Sequence, residues 1–249
     1  HPEASKFAKY VSGRRRSGGM SLFSIGGNLG FALGPLLAST LVLALGLAGG
    51  LILAIPAIIF ATLMAWLIPY LKQFAPETRA QVAETRGQDN PRALGIVLAI
   101  VALRSVGHMG LFAFIPLWEV SKGNGEAYGN QILFLFLFVG AIGTLIGGPV
   151  ADRIGTRMLT GLAHGLSVPL ILVYVLTTGP GSVVAVALAG GLLVSTFAVT
   201  IVMGHDYMPS RVGLSSGLTI GLSIGLGGIA AVALGAVADT ISVKTAVLA

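Results

Sequence analysis

Seven long apolar runs constrain the fold of this chain more than any other feature of its sequence. Each is long enough to cross a bilayer as a helix, which takes about 20 residues. Transmembrane β-strands, in contrast, alternate polar and apolar residues over about 10 positions, a pattern that these runs lack. The sequence therefore predicts an all-α, polytopic membrane protein. The predicted spans are residues 20–45, 51–71, 93–118, 130–151, 158–178, 182–203 and 213–238.

Composition excludes several other classes of protein. Charged residues make up only 10% of the chain, whereas a soluble domain has about 25%. The absence of cysteine rules out a disulfide scaffold, a cysteine zinc site and a thiol nucleophile. The net charge of +6 comes from short basic clusters between apolar runs, so we expect the lipid bilayer, and no nucleic acid, as a partner.

The distribution of basic residues predicts the orientation in the membrane. Of the 15 Lys and Arg residues, 12 lie in loops on one side, and only Lys122 and Lys244 lie on the other. Because cytoplasmic loops are enriched in Lys and Arg, residues 1–19 and 72–92 are predicted to be cytoplasmic. We expect a multi-pass protein of the inner or plasma membrane.

One cytoplasmic turn, between the fourth and fifth predicted spans, carries a specific motif. It contains Gly148, Asp152, Arg153, Gly155 and Arg157. The spacing resembles the signature turn of the major facilitator superfamily, Gly-x-x-x-Asp-Arg-x-Gly-x-Arg, at every fixed position. A merely solvated basic turn is the alternative interpretation. The glycines permit a tight reversal, and Asp152 can lie against the positive end of a helix dipole.

The resemblance implies a domain organisation and a gating role for this turn. In the family the turn follows the second helix of each half, so the seven spans resemble helices 5–11 of twelve. Residues 1–71 would end the N-terminal half, 72–92 would link the halves, and 93–249 would form the C-terminal half, with helix 12 missing or incomplete. The resemblance implies a charge lock in which Asp152 faces the start of the first span and Arg153 and Arg157 reach Asp206. Glu3 occupies the position in the other half that matches Asp206.

An internal repeat and the chain ends agree with this organisation. We expect a fragment, because the chain begins at His1 without a methionine and seven is an odd number for paired repeats. Glycines and serines that open the first span recur 194 residues later in the seventh: Gly19, Ser21, Gly27 and Gly34 against Gly213, Ser215, Gly221 and Gly228.

The first span has a glycine-rich face. Gly26, Gly30 and Gly34 recur every four residues and are followed by Pro35. Such a face permits close helix packing, and the proline permits a bend. The run resembles the glycine–proline motif of proton-coupled antiporters in the same superfamily, although plain helix packing explains the glycines equally well.

Arg104 and His108 are the main functional candidates. They are four residues apart and share one face of the third span, at depths of about 16 and 22 Å. None of the nine acidic residues is expected inside a span, so Arg104 needs a partner from elsewhere. The partner of Arg104 could be an anionic substrate, backbone carbonyls or an acidic residue of the absent half that forms a structural ion pair. Asn28 is a weaker candidate, as a helix–helix hydrogen bond or a polar group of the cavity.

A narrower resemblance suggests a transport activity. The chain is similar to the fosmidomycin resistance group of the superfamily through His1-Pro2-Glu3, Ser21 to Asn28, Arg104-x-x-x-His108 and Met208-Pro209. The resemblance implies proton-coupled efflux of a small anionic compound such as a phosphonate drug, by a monomer without cofactor or metal. An uptake carrier for an organic anion or sugar, and a membrane-embedded enzyme, are the alternatives; we expect no enzymatic activity.

Overall fold

The fold consists of helices throughout the part of the chain that the computed structural model describes. That part comprises residues 15–72 and 88–241, together with Ser5, Ala8, Ser12 and Thr245. The helices are α1 Arg16–Leu45, α2 Ala54–Lys72, α3 Pro91–Ser121, α4 Glu126–Ile154, α5 Thr156–Leu176, α6 Pro180–Tyr207 and α7 Val212–Thr240. Two 3₁₀ segments, Gly46–Leu53 and Pro209–Arg211, precede α2 and α7.

The seven helices coincide with the seven predicted spans. Six helical stretches of the described residues are long and apolar enough to cross a membrane: Gly46–Tyr70, Pro91–Ser121, Glu126–Ile154, Thr156–Leu176, Pro180–Tyr207 and Pro209–Thr240. The 30-residue α1 is not among the six, and five of its side chains lie outside the description. The all-α, multi-pass fold predicted from the apolar runs is confirmed. Of the predicted linker, residues 73–87 lie outside the described residues.

Local sequence signals set the helix ends. Asn90 caps α3, because its side-chain oxygen accepts a hydrogen bond from the backbone N–H of Ala93 at 3.0 Å. Pro91 follows at the first helical position, where its missing N–H costs nothing. Between α4 and α5 the chain reverses at Gly155, whose φ of 94° lies in the left-handed region that favours glycine. This turn keeps α4 and α5 adjacent at the end predicted to be cytoplasmic.

Helix α6 forms the centre of the bundle and contacts α1, α3, α4, α5 and α7. Its closest neighbour is α4, and glycines lie on both sides of that crossing. A Cβ atom at Gly143 would lie 2.7 Å from the carbonyl carbon of Gly191, and one at Gly147 would lie 2.6 Å from the carbonyl oxygen of Ser195. The two backbones are therefore in contact, as small residues permit between membrane helices.

The glycine face predicted on α1 makes no comparable contact with the described residues. A Cβ atom at Gly26, Gly30 or Gly34 would meet no described atom within 4 Å. Helix α1 continues through position 35, whose side chain is not described. Close glycine packing is thus present between α4 and α6, where it was not predicted. The glycine face of α1 contacts none of the described residues.

Candidate functional site

Three of the predicted binding residues line one cavity in the middle of the bundle. Arg104 and His108 come from α3 and Asn28 from α1, and the walls are completed by α4, α6 and α7. The cavity has a volume of about 110 Å³. Residues that are distant in sequence therefore line the same cavity, and Arg104 and His108, four positions apart on α3, both face it.

Arg104 is buried, with 5% of its surface exposed. Its Nη2 donates a hydrogen bond to the Ser223 hydroxyl at 2.8 Å, and its Cζ lies 5.2 Å from the centroid of the Phe197 ring. Its buried Nε has no hydrogen-bond partner among the described residues, and none of their carboxylates forms an ion pair with it. A buried cation without a counterion is costly, so this group favours binding of an anion.

His108 lies one turn further along α3. Its ring centroid is 5.6 Å from that of Phe136, with the planes tilted by 32°. Within the described residues the imidazole makes no hydrogen bond. Both ring nitrogens are thus free to exchange a proton or to contact a ligand in the cavity.

Asn28 joins α1 to α4. Its Nδ2 donates to the Thr144 hydroxyl at 2.7 Å, and that hydroxyl lies 3.2 Å from the carbonyl oxygen of Val194 on α6. Thr144 is fully buried. Asn28 therefore meets both interpretations offered by the sequence, since it bonds one helix to another and also lines the cavity.

The signature turn lies against the start of α1. The carboxylate of Asp152 accepts hydrogen bonds from the backbone N–H groups of Ser17, at 3.1 Å, and of Gly18, at 2.9 Å. Helix α1 has no capping side chain at its own N-terminus. Asp152 of α4 therefore accepts hydrogen bonds from two N–H groups in the first turn of α1 and lies at the positive end of the α1 dipole. Gly148 allows this approach, because a Cβ there would lie 2.7 Å from the carbonyl carbon of Ser17.

The remaining charges of the predicted lock are arranged differently from the expectation. Asp206 pairs with Arg16, with 3.1 Å between the Oδ1 and Nη1 atoms, rather than with Arg153 or Arg157. The Nε of Arg157 donates instead to the hydroxyl of Tyr207 at 2.8 Å. Arg153 is exposed. The predicted Glu3 lies outside the described residues.

Several functional neighbours were not found from the sequence. Ser223 and Ser105, whose hydroxyls lie 2.9 Å apart, join α7 to α3 beside Arg104. A signal existed in α7: Ser215, Thr219 and Ser223 recur every four residues, and all three are buried. Hydroxyl groups on one face of an apolar helix indicate interhelical hydrogen bonds.

The helices extend past the predicted spans and include acidic residues near their ends, and Glu119 is the buried one among them. It lies in α3, is 3% exposed, and accepts hydrogen bonds from Tyr174 at 2.9 Å and Asn124 at 2.6 Å. The Lys122 ammonium is 2.6 Å away and lies 5.1 Å from the Tyr174 ring centroid. This cluster ties α5 to the far end of α3. The predicted span ended at residue 118, one residue before Glu119, so the cluster was not expected.

Comparisons with known proteins identify relatives along nearly the whole chain. Residues 4–246 match the family model of the Major Facilitator Superfamily. An uncharacterized MFS-type transporter of Bacillus subtilis (strain 168), YfnC, is 33% identical over 100% of this chain and 63% of its own length. The fosmidomycin resistance protein of Escherichia coli (strain K12) is 32% identical over 98% of this chain and 62% of its own. The chain thus spans less than two thirds of either relative.

Proposed function

Because this chain belongs to the major facilitator superfamily, we propose that the full-length protein is a secondary active transporter that exports a small anionic compound in exchange for protons. The observation that carries the proposal is the Arg104 guanidinium, buried beside a cavity and without a carboxylate partner among the described residues. An anionic substrate supplies the missing counterion.

The geometry of Arg104 favours a planar or tetrahedral oxyanion. One Nη is held by Ser223, which fixes the orientation of the guanidinium, while the Nε remains for a ligand. Guanidinium groups bind carboxylate, phosphate and phosphonate oxygens through short charge-assisted hydrogen bonds. The name of the Escherichia coli relative supports a phosphonate, since fosmidomycin is one.

His108 is the proposed proton carrier of the cycle. It faces the same cavity as Arg104, four residues away, and imidazole is the side chain whose ordinary pKa lies closest to physiological pH. Protonation of His108 and binding of an anion to Arg104 alter the charge of one small space. The two events therefore affect each other electrostatically. Exchange additionally requires that the anion and the proton occupy the site in alternation, because the added positive charge alone would favour their binding together.

The cytoplasmic contacts are the proposed gate. Asp152 at the first turn of α1, together with the pair of Arg16 and Asp206, holds α1 against the ends of α4 and α6. These contacts close the cytoplasmic end in this conformation. Alternating access requires them to break when the site opens to the cytoplasm.

Transport in proteoliposomes containing the full-length protein tests the proposal. With fosmidomycin as the probe, we expect saturable flux driven by an imposed proton gradient, and no comparable flux of a neutral sugar. Arg104→Gln should lower the rate at least tenfold, because charge-assisted contacts are lost, whereas Arg104→Lys should keep part of it. Arg92→Gln is the control, since Arg92 is exposed at the start of the same helix.

His108→Gln separates coupling from binding. We expect this variant to keep exchange of labelled for unlabelled substrate but to lose acceleration by the proton gradient. Undiminished export of the anion by Arg104→Gln would overturn the binding role of Arg104. Gradient-driven export by His108→Gln at the wild-type rate would overturn the role of His108 alone.

A further inference from the structure

The central cavity contains a hydrogen-bond acceptor that the proposed binding of an anion leaves unused. Asn28 lines this cavity from α1, together with Arg104 and His108 of α3. The Nδ2 of Asn28 donates to the Thr144 hydroxyl, whereas its Oδ1 accepts no hydrogen bond from the described residues. An amide oxygen is a good acceptor with two lone pairs, so a ligand in the cavity gains by donating to it.

The contacts of Thr144 determine which end of the Asn28 amide points toward α4. The Thr144 hydroxyl lies 3.2 Å from the carbonyl oxygen of Val194 and 3.3 Å from that of Gly140. Because a carbonyl oxygen only accepts, the hydroxyl donates its proton there and accepts from the NH₂ group of Asn28. Thr144 is fully buried, so the amide is held in this orientation before a ligand binds. The amide oxygen is the end that remains for a ligand.

Most other side chains of the cavity offer a ligand no acceptor. The hydroxyls of Ser105 and Ser223 lie 2.9 Å apart, and that of Ser223 also accepts from Arg104. The remaining lining side chains are apolar: Met109, Phe112, Leu137, Val194, Phe197 and Ile224. The cavity therefore presents a cation at Arg104, an imidazole at His108 and an amide oxygen at Asn28.

We propose that the transported anion carries an uncharged hydrogen-bond donor, such as a hydroxyl or an amide N–H, which binds the Oδ1 of Asn28 while the oxyanion binds Arg104. The inference rests on the proposed function, because it takes the anion at Arg104 as given. The volume of about 110 Å³ is on the order of a few water molecules, so one small molecule reaches both groups. An ammonium group is disfavoured as the donor, since the guanidinium repels it.

Asn28 is thereby a specificity-determining residue, and the substrate class narrows to small hydroxylated or amide-bearing oxyanions. An anion of the same charge and size without a donor leaves the Asn28 oxygen unpaired in the complex. Sites that bind a substrate hydroxyl discriminate against analogues that lack it for this reason.

Three small phosphonates, used as probes of the purified full-length protein in isothermal titration calorimetry, test the proposal. Hydroxyethylphosphonate and propylphosphonate have the same charge and differ by a hydroxyl in place of a methyl group. Methoxyethylphosphonate keeps the oxygen but cannot donate a hydrogen bond. We expect the hydroxyl compound to bind about 2- to 12-fold more tightly than either of the others, which corresponds to one net hydrogen bond.

Variants assign this preference to its residue. Asn28→Leu has a side chain of similar size without an acceptor, and it should bind the hydroxyl and propyl compounds equally. Thr144→Val is the matched control, because it removes the same bond between α1 and α4 but keeps the Asn28 oxygen, so it should retain the preference. Arg104→Gln should weaken the binding of all three phosphonates by a similar factor. Thermal unfolding of each variant checks that its fold is intact.

Four results would overturn the proposal. Equal affinities of the wild-type protein for the hydroxyl and propyl compounds would show that the Asn28 oxygen binds no ligand, and they would leave the anion site at Arg104 intact. Equal affinities for the hydroxyl and methoxy compounds would show that no donor is required. The same loss of preference in Asn28→Leu and Thr144→Val would assign the effect to the helix contact. Binding of none of the probes would overturn the anion site at Arg104 and this inference together.

Discussion

Replacing Gly148 by alanine would separate the start of α1 from the end of α4, the side predicted to be cytoplasmic. A Cβ at Gly148 lies 2.7 Å from the carbonyl carbon of Ser17. Since non-bonded carbon atoms rest about 3.5–4.0 Å apart, α1 must retreat by about 1 Å. The same movement stretches the hydrogen bonds from Ser17 and Gly18 to Asp152, now 3.1 and 2.9 Å, beyond good geometry.

The energetic cost follows from both effects. Overpacking of a close contact costs about 1–3 kcal/mol, and weakening the contact of Asp152 with the dipole of α1 adds about 0.3–1 kcal/mol at this exposed position. If the whole cost, about 1.3–4 kcal/mol, falls on the closed state, the equilibrium shifts toward the open state by about 9- to 900-fold. The glycine thus stabilises one of the two states of the proposed gate.

Distance measurements between spin labels would detect this shift. The 249 residues contain no cysteine. One cysteine can therefore be introduced at Arg15, before the start of α1, and one at Ile154, at the end of α4, and both positions are exposed for labelling. Double electron–electron resonance should show a longer mean distance in Gly148→Ala. The control is Gly165→Ala, at an exposed and unobstructed glycine. A distance distribution equal to that of the control would refute the reasoning.

Three further predictions concern single side chains. Asp152→Asn should change transport rates in vesicles, because the amide keeps a hydrogen-bond acceptor but loses the charge at the dipole of α1; an unchanged rate would mean that the lock has no function. Tyr174→Phe should destabilise the protein by about 2 kcal/mol, measured by thermal unfolding, because the buried Glu119 carboxylate loses a hydrogen bond; an unaltered unfolding temperature would contradict this. The pKa of Asp89 lies below its ordinary value, because the hydroxyl and the backbone N–H of Ser210 donate hydrogen bonds to the carboxylate. Its stabilising contribution is therefore present above the unfolded pKa of about 3.9 and is lost as the pH falls through the folded value; an NMR titration should show a midpoint below 3.9 that rises in Ser210→Ala.

The helices could be predicted from the sequence because apolar length alone defines a membrane span. The predicted spans 130–151 and 213–238 became Glu126–Ile154 and Val212–Thr240, and the additions include charged end residues such as Glu126, Asp152 and Asp239 that hydropathy does not favour. Which helix faces meet could not be predicted in the same way. Glycines recur on α1, α4, α6 and α7, and their spacing does not say which pair of backbones is in contact.

The sequence could place Arg104 beside His108 because they share a helix, whereas it could not show which side chains other helices bring to them, such as Ser223. The spacing of Arg104 and His108 places both on one face of α3, and the cavity lies at that face. Arg16 was not expected to meet Asp206, because the two are 190 residues apart and several arginines could reach the same acid. Such a choice depends on how α1 packs against the ends of α4 and α6.

In the proposed transporter, the buried guanidinium of Arg104 would also give a response to voltage. A charge near the middle of a bilayer experiences about half of the transmembrane potential, or about 1 kcal/mol per 100 mV. An interior-negative potential therefore favours the empty site in its cytoplasm-facing position, and a monoanion bound to Arg104 cancels this preference. Membrane potential would then act on the anion-free and the anion-loaded forms differently, and in the proposed exchange it would favour the inward return of the anion-free, proton-loaded form.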